Sequence, residues 1–371
     1  MKDATDTKMK FAIVGLGWVA RNLHARALKR VPGAVLVGGC DAAADVRESW
    51  EKETGTKAFE SLDELIDGTR PDVVIVATPP ASHAELCVQV LEAGIHVVCE
   101  KPFVSTLDEA DHVLAVAEAA GRQVMVNHPF REKPVFKALK ERIDSGEAGR
   151  LVFCQIWQLM DIAPWEEPVA WRRAMPNRGL FEGGIHLVDL LLHLYGTLPS
   201  GVYARYSSGF HEVDGDAVHL VTMDFPDGRL AQITIDRLCP GGTRYVEVRA
   251  DCEDASLRAS LGGRAVVQLG KKRAESTGIR LDLTAEGLAW EERGLKRKHL
   301  ARNPRDSVML ATASLLGGGV RALNAGQTPP SSGREARGVL AVIDAAYRSA
   351  STGTRVELGR DAQAQSVRAA G

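Results

Sequence analysis

Short apolar runs separated by amphipathic stretches fill residues 10–127, and this alternation constrains the fold more than any other feature of the chain. The runs are rich in Val and Ile and nearly continuous, which is typical of strands covered on both faces of a sheet. They are KFAIV (10–14), AVLVGGC (34–40), DVVIVA (72–77), HVVCE (96–100) and QVMVN (123–127). Strand–helix alternation of this kind predicts a doubly wound parallel sheet.

The stretches between these runs carry signals for helix ends. Ser61-Leu-Asp-Glu64 and Thr106-Leu-Asp-Glu109 are capping-box sequences, in which a hydroxyl and a carboxylate satisfy the first free amides of a helix. Three glycines stand where left-handed C-terminal caps are expected: Gly55, Gly94 and Gly121.

A glycine-rich turn follows the first predicted strand and opens a predicted helix over 20–30. Such a turn is weak evidence alone, but its place between strand and helix favours a dinucleotide-binding site. Gly15 permits the tight turn, Gly17 lets the backbone approach a pyrophosphate, and Ala20 lets helix and strand pack closely. The residues predicted to form this cofactor turn are Gly15, Gly17, Trp18, Val19 and Ala20.

Asp41 ends the second predicted strand, 21 positions after Ala20. A carboxylate there accepts hydrogen bonds from an adenosine ribose and repels a 2′-phosphate. No arginine follows it directly, although Arg47 lies one or two helical turns on. The sequence therefore predicts NAD in preference to NADP.

Composition excludes several other classes of protein. The 46 basic and 48 acidic residues give a net charge of −2, which argues against a nucleic acid or an anionic membrane as the main partner. No apolar stretch approaches the roughly 18–20 residues of a membrane span. The six cysteines are scattered without zinc-site spacing, and the polar first ten residues lack a signal-peptide pattern. We expect a cytoplasmic protein.

A lysine ends the fifth predicted strand, in Glu100-Lys101-Pro102, at the sheet edge that faces the ligand in this architecture. This motif and six others together resemble the Gfo/Idh/MocA oxidoreductase family, which includes glucose–fructose oxidoreductase and inositol dehydrogenases. The others are GLGWVA (15–20), ATPPASH (77–83), VNHPFR (126–131), AWR (170–172), GLFEGGIHLVD (179–189) and AAYRSASTG (345–353).

The resemblance implies a Rossmann domain over 1–128 and an α+β domain over 129–358, followed by a polar tail over 359–371. The second domain is expected to hold an open, largely antiparallel sheet. The resemblance implies that one face of that sheet covers the active site and that the other forms a homodimer or homotetramer interface.

The pattern beyond residue 150 agrees with this expectation. Apolar alternation predicts strands over 151–160, 216–225, 229–236 and 244–250, with a hairpin turn at Pro226-Asp-Gly228 and a helix over 186–195 that ends at Gly196. The basic stretch 295–302 is expected to be a solvated loop.

The resemblance also implies the proton-handling groups: Lys101, Glu182 and His186. Many members carry aspartate at the position of Glu182. If residues 182–190 begin a helix, Glu182 and His186 share one face, and Asp189 either holds the imidazole or binds substrate. Histidine titrates near neutral pH without help, so we favour His186 as the base and Lys101 as the group that binds the reacting oxygen. The reverse assignment stays open.

The remaining site residues rest on the resemblance. Contacts with the cofactor are expected from Thr78, Pro79, His83, Glu100, Lys101, Asn127, Trp171 and Arg172. Contacts with substrate are expected from Lys101, His128, Arg131, Glu182, His186 and Asp189. No metal is expected, because the organic cofactor carries hydride chemistry.

The sequence thus predicts an NAD-dependent oxidoreductase that acts on a sugar, cyclitol or related polyol. Two alternatives stay open: a glycoside hydrolase that recycles bound NAD, and a non-catalytic NAD-binding sensor. Fold alone does not choose among them.

Overall fold

The computed structural model describes residues 8–161, 179–208, 216–239, 245–262, 266–271, 277–282 and 286–359. These residues divide into two compact units. The first unit joins the N-terminal part, up to Glu132, to Val308–Ala341. The second holds Lys133–Ser307 and the segment that begins at Val342.

A parallel sheet lies at the centre of the first unit, as the sequence predicts. In the described part of the chain its order is β3-β2-β1-β4-β5-β6, and every pair in it is parallel. Its strands are β1 (Met9–Val14), β2 (Ala34–Cys40), β3 (Ala58–Phe59), β4 (Val73–Val76), β5 (His96–Cys99) and β6 (Val124–Val126). The short β3 was not predicted.

Helices cover this sheet. They are α1 (Ala25–Leu28), α2 (Ala44–Thr54), α3 (Leu62–Thr69), α4 (His83–Glu92) and α5 (Leu107–Ala119), with 3₁₀ turns at Pro80–Ser82 and Pro129–Glu132. The predicted regular helix over 20–30 is wrong in detail. Ala20–His24 form a π-helical turn, and α1 follows it and ends at Leu28.

The two capping boxes differ. Thr106 and Glu109 form the complete box, since each side chain accepts a hydrogen bond from the other residue's backbone amide. Ser61 accepts from the Glu64 amide at 3.2 Å, but the Glu64 carboxylate accepts from the amide of Glu60 instead. The three predicted capping glycines, Gly55, Gly94 and Gly121, have φ of 70°, 74° and 61°.

A mixed, mostly antiparallel sheet forms the second unit and confirms the expected fold class. In the described residues its order is β16-β15-β12-β11-β7-β10-β9-β8-β17, and the β7–β10 pair is parallel. Its strands are β7 (Leu151–Leu159), β8 (Gly201–Ser208), β9 (Asp216–Asp224), β10 (Leu230–Asp236), β11 (Val246–Cys252), β12 (Ser256–Leu261), β15 (Leu288–Arg293), β16 (Lys296–Arg302) and β17 (Val356–Glu357). A separate hairpin pairs β13 (Val266–Lys271) with β14 (Thr277–Asp282).

The second unit also contains α6 (Pro134–Asp144) and α7 (Ile185–Tyr195). Helix α7 packs on β7 and β10 and ends at Gly196, whose φ of 69° matches the predicted cap. A π-helical turn at Gly179–Gly183 precedes it. The predicted helix over 186–195 is confirmed, but Glu182 lies on the π-helical turn and not on the same regular helix as His186.

The late helices are α8 (Ser307–Asn324) and α9 (Gly333–Thr352). From α8, Met309, Leu315, Leu316 and Val320 join the apolar core of the first unit, which includes Phe11, Ile13 and Trp50. The C-terminal part of the chain thus completes the N-terminal core.

The basic stretch 295–302 is not the expected loop. It forms β16 at the edge of the second sheet, after a tight hairpin in which Leu295 is 99% exposed. The Arg297 guanidinium lies 3.9 Å from the centre of the Trp290 ring on β15. This cation–π contact stabilises the pairing of β16 with β15. The charged side chains of β16 suit the edge of a sheet, because they deter pairing with another chain.

Lys133 is a buried cation in the second unit. Its side chain is 4% exposed, and its Nζ donates to the Ser307 hydroxyl at 2.9 Å. Burial lowers the pKa of Lys133 to about 8, although the carboxylate of Glu286 opposes the shift. Below pH 8 the folded protein therefore carries a poorly hydrated ammonium.

The Lys133→Met variant tests whether burial of the Lys133 ammonium lowers the stability of the folded protein. Lysine in the unfolded chain has a pKa near 10.5, so wild type gains stability relative to the variant as pH rises from about 8 to 10.5. We expect a relative gain of about 3 kcal/mol in the free energy of unfolding over that window. Urea unfolding of both proteins at pH 7 and pH 10 measures it. The exposed Lys137→Met is the control; an equal pH dependence in both variants would contradict the assignment.

Candidate active site

The glycine-rich turn has the geometry of a phosphate-binding loop. Gly15 has φ of +84°, and a Cβ there would lie 2.9 Å from the backbone of Ala77 and 2.8 Å from the Thr78 side chain. A Cβ on Gly17 would meet no atom within 4 Å, so the backbone there faces open space. Ala20 is fully buried, while Trp18 is 73% exposed.

The Asp41 carboxylate stabilises this turn through hydrogen bonds. Its Oδ2 accepts from the Leu16 amide at 2.9 Å, and its Oδ1 accepts from the Ala43 amide at 3.0 Å. Arg47 donates to the carbonyl oxygens of Asp41 and Ala42, both at 2.8 Å. The guanidinium is thus attached to the backbone beside the carboxylate.

These residues fit a dinucleotide. The open side of Gly17 is the approach that a pyrophosphate requires, and the half-buried Asp41 carboxylate has lone pairs beyond those its two amide partners use. Trp18, Val19 and Ala20 follow the turn at the start of the helical segment.

The segment after β4 lies against the turn. The Ser82 hydroxyl donates to Thr78 Oγ1 at 2.8 Å, and Pro79 is exposed. His83 is 1% exposed: its Nδ1 lies 2.9 Å from the carbonyl oxygen of Pro102, and its Nε2 lies 2.9 Å from that of Thr78. His83 therefore ties the loop after β4 to the loop after β5.

The Glu100-Lys101 pair stands at the carboxyl end of β5, and the Lys101–Pro102 peptide is cis. Lys101 is half-buried, whereas Glu100 is buried. Glu100 Oε1 accepts from Asn127 Nδ2 and contacts His24 Nε2, each at 2.7 Å. The structure thus brings Glu100, Lys101 and Asn127 together and adds His24, which the sequence did not single out.

The pKa of Glu100 reflects these contacts. Burial alone raises the pKa, but the hydrogen bonds from His24 and Asn127 and the charge of Lys101 hold it below its usual range. The carboxylate is therefore ionised at neutral pH.

His128 and Arg131 follow β6 and are both buried. Arg131 forms an ion pair of 2.5 Å with Glu335 on α9, within the first unit. The Glu335 carboxylate also accepts from the Ser332 amide at 2.9 Å. Arg131 thus attaches the first turn of α9 to the segment that follows β6.

Three residues predicted to act on substrate lie in the second unit, and they differ in solvent exposure. Glu182 lies on the π-helical turn and His186 on the first turn of α7, and both are half-buried. Asp189 is fully buried. Glu182 and His186 are therefore the accessible members of the set.

A buried cluster holds the segment that carries Glu182. Asp216 Oδ1 accepts from the Gly179 amide at 2.8 Å, and Asp216 Oδ2 lies 2.9 Å from His219 Nε2. The Tyr347 hydroxyl donates to Asp216 and accepts from the Leu180 amide at 3.2 Å. Although burial raises it, these donors hold the pKa of Asp216 below its usual range.

Two glycines of the same segment have no room for a side chain. A Cβ on Gly179 would lie 2.2 Å from the Asp216 carbonyl oxygen, and one on Gly184 would lie 2.5 Å from Ile235. A Cβ on Gly183 would have no neighbour closer than 3.9 Å, the Oε1 atom of Gln158.

Gln158 and Tyr245 are polar residues near Glu182 that the sequence did not reveal. Gln158 is 1% exposed, its Nε2 donates to the Tyr245 hydroxyl at 2.8 Å, and its Oε1 has no partner in the described residues. Desolvation and the Glu182 carboxylate both raise the pKa of Tyr245. These residues meet through the pairing of β7 with the start of β11, which no local sequence motif encodes.

Trp171 and Arg172 lie outside the described residues. Within the described ranges, no group of three or more His, Cys, Asp or Glu side chains is placed to hold a metal ion. No helix in the same ranges is long and apolar enough to cross a membrane.

Two family models match the chain. Residues 9–128 match the oxidoreductase family with an NAD-binding Rossmann fold, and residues 136–258 match the GFO/IDH/MocA C-terminal domain. The chain belongs to the Gfo/Idh/MocA oxidoreductase family. The predicted resemblance is confirmed.

Curated relatives and solved structures agree with this family. Glucose-6-phosphate 3-dehydrogenase of Bacillus subtilis is 33% identical over 190 residues, 50% of this chain and 53% of that protein. The match thus spans about half of that relative. D-apiose dehydrogenase of Paraburkholderia graminis is 26% identical over 95% of this chain and 91% of its own. An Agrobacterium radiobacter oxidoreductase, solved with NAD⁺, L-tartaric acid and magnesium, shares the fold: its TM-score is 0.80 at 20% identity, over 96% of this chain and 100% of that one.

The glycine contacts of this Gfo/Idh/MocA member predict a contrast between two variants. Gly179→Ala forces the Asp216 carbonyl away, which costs about 2–3 kcal/mol of folding free energy. Gly183→Ala places its methyl group at ordinary contact distance. We expect the first variant to lower the thermal unfolding midpoint by about 5 °C or more and the second to leave it within about 1 °C. Equal midpoints in differential scanning calorimetry would contradict the described packing of this turn.

Proposed function

We propose that this protein is an NAD-dependent oxidoreductase that transfers a hydride between the cofactor and a secondary hydroxyl or carbonyl group of a sugar, cyclitol or related polyol. The observation that carries the proposal is the half-buried Lys101, whose backbone amide donates to an ionised, buried Glu100 in the same unit as an open glycine turn. A non-catalytic NAD-binding sensor does not require a lysine that handles a proton.

Lys101 and His186 divide the proton chemistry. NAD, held by the turn at Gly15 and Gly17 and by Asp41, would supply the hydride acceptor for the carbinol carbon. The Lys101 ammonium donates a hydrogen bond to the reacting oxygen and stabilises the negative charge that develops there. A ring nitrogen of His186 accepts the hydroxyl proton, and Glu182 orients the substrate or the imidazole. In the reverse assignment Lys101 is the base.

A hydroxyl-rich substrate suits the polar groups near Glu182. A buried amide oxygen without a donor costs free energy, and a substrate hydroxyl that donates to Gln158 Oε1 removes that cost. Tyr245 is already the partner of Gln158 Nε2, so the amide is oriented before substrate binds. The names of the relatives, glucose-6-phosphate 3-dehydrogenase and D-apiose dehydrogenase, support a carbohydrate.

The outer face of the second sheet supports a homodimer or homotetramer. Tyr203, Leu220 and Leu230 lie on neighbouring strands and are 40%, 48% and 47% exposed. Large apolar side chains in adjacent rows are typical of an interface. We propose that a second copy of the chain covers them.

Lys101→Met and His186→Asn test the mechanism. Each variant loses a group that acts at the reacting oxygen, so we expect kcat to fall about 10²–10⁴-fold while NAD⁺ still binds. Nicotinamide absorbance across polyols, cyclitols, aldoses and aryl glycosides measures turnover, and tryptophan fluorescence measures NAD⁺ binding. Activity within twofold of wild type in either variant would refute its role. Glycoside cleavage without net NADH would instead identify the cofactor-recycling hydrolase.

Asp41→Asn tests the preference for NAD. The amide keeps one acceptor for the turn but removes the charge that repels a 2′-phosphate, so NADP⁺ affinity relative to NAD⁺ should rise about tenfold. Asp45→Asn, which removes an exposed charge on α2, is the control and should leave the ratio unchanged. Fluorescence titration with both cofactors gives the ratio. An unchanged ratio in Asp41→Asn would show that this carboxylate does not select the cofactor.

A further inference from the structure

His24 is a buried histidine to which neither the family motifs above nor the proposed mechanism gives a role. It is the last residue of the π-helical turn that follows the glycine-rich turn, and its side chain is fully buried. Its Nε2 lies 2.7 Å from Glu100 Oε1, across 76 residues of sequence. Its Nδ1 has no hydrogen-bond partner in the described part of the chain. The carboxylate of Glu100 is thus the polar partner that the structure gives this ring.

Glu100 uses its two oxygens in different directions. Oε1 faces His24 and Asn127, and Oε2 accepts from the backbone amide of Lys101 at 3.1 Å. The ring of His24 therefore fixes a carboxylate that in turn fixes the backbone of the lysine. Asn127 is held as well, since its backbone amide donates to the Cys99 carbonyl at 2.8 Å.

The groups that act on the Glu100 carboxylate are His24, Asn127 and Lys101. If His24 loses its N–H donor, the carboxylate keeps Asn127 but loses its partner on the helical segment. An incompletely paired buried charge costs free energy. We therefore expect the carboxylate to rotate toward other donors. Rotation of the carboxylate would release the Lys101 amide.

We propose that His24 is a positioning residue for Lys101, acting through Glu100, and that it links the glycine-rich turn to the lysine at the end of β5. This inference rests on the proposed function for its effect on turnover. The orientation of Lys101 itself does not depend on which substrate the enzyme takes.

The experiment compares His24→Leu with His24→Gln and uses two readouts. Leucine removes the donor, whereas the Gln Nε2 atom stands near the position of the imidazole Nε2 and donates in its place. The first readout is the rate at which acetyl N-hydroxysuccinimide modifies Lys101 in the cofactor-free protein, measured by mass spectrometry relative to the exposed Lys137. The second is kcat beside the Kd for NAD⁺. His96→Gln, at the opposite end of β5, is the control for loss of a partly buried histidine.

We expect His24→Leu to change the relative modification rate of Lys101 at least threefold and to lower kcat at least tenfold, with the Kd for NAD⁺ within threefold of wild type. His24→Gln should restore both readouts to within threefold, and His96→Gln should change neither. Adding Glu100→Gln to His24→Leu should lower kcat by less than a further twofold, because both changes break one path.

Unchanged Lys101 reactivity in His24→Leu, or independent effects of the two substitutions, would overturn the proposal. If His24→Leu does not fold, Glu100→Gln and His24→Gln decide it, since the first must change the relative modification rate of Lys101 at least threefold and the second must not. If the wild type oxidises no polyol, the proposed function fails, while Lys101 reactivity in the cofactor-free protein still decides the role of His24.

Discussion

Burying a carboxylate costs several kcal/mol unless hydrogen-bond donors replace the water that it loses. Glu100 meets this condition with donors from three parts of the first unit: the π-helical turn, the end of β6 and its own neighbour Lys101. Each donor is held in place in return. A single desolvated charge therefore joins the π-helical turn, the residue that follows β6 and the backbone of Lys101.

The second unit also contains a buried carboxylate that is held by hydrogen-bond donors. Asp216 is buried, and its donors are the Gly179 amide, His219 and Tyr347, which come from three separate segments. The Gly179 amide begins the turn that carries Glu182, so this carboxylate does for the acid what Glu100 does for Lys101. In both units a buried acid that need not touch substrate holds the backbone next to a residue that is proposed to do so.

Local pattern predicted much of the fold. Continuous Val-rich runs gave the main strands of the first sheet, and the Thr106 box formed as expected because its two hydrogen bonds depend on residues three apart. Prediction was weaker where long-range contacts decide. The helix over 20–30 begins as a π-helical turn, 295–302 pairs as a strand with β15, and α8 returns to the core of the first unit. None of these outcomes has a signature within a few residues.

The residues of the candidate site also differ in how well the sequence predicts them, for the same reason. A dinucleotide has fixed chemistry, so a turn, a carboxylate and their spacing within about thirty residues suffice to predict its site. The polar residues near Glu182 come from segments far apart in sequence: Gln158 and Tyr245 are 87 residues apart and meet because β7 pairs with β11. Glu182 belongs to a recognisable motif, but the residues that surround it do not. The neighbours of Glu182 are therefore set by sheet register, which local motifs do not encode.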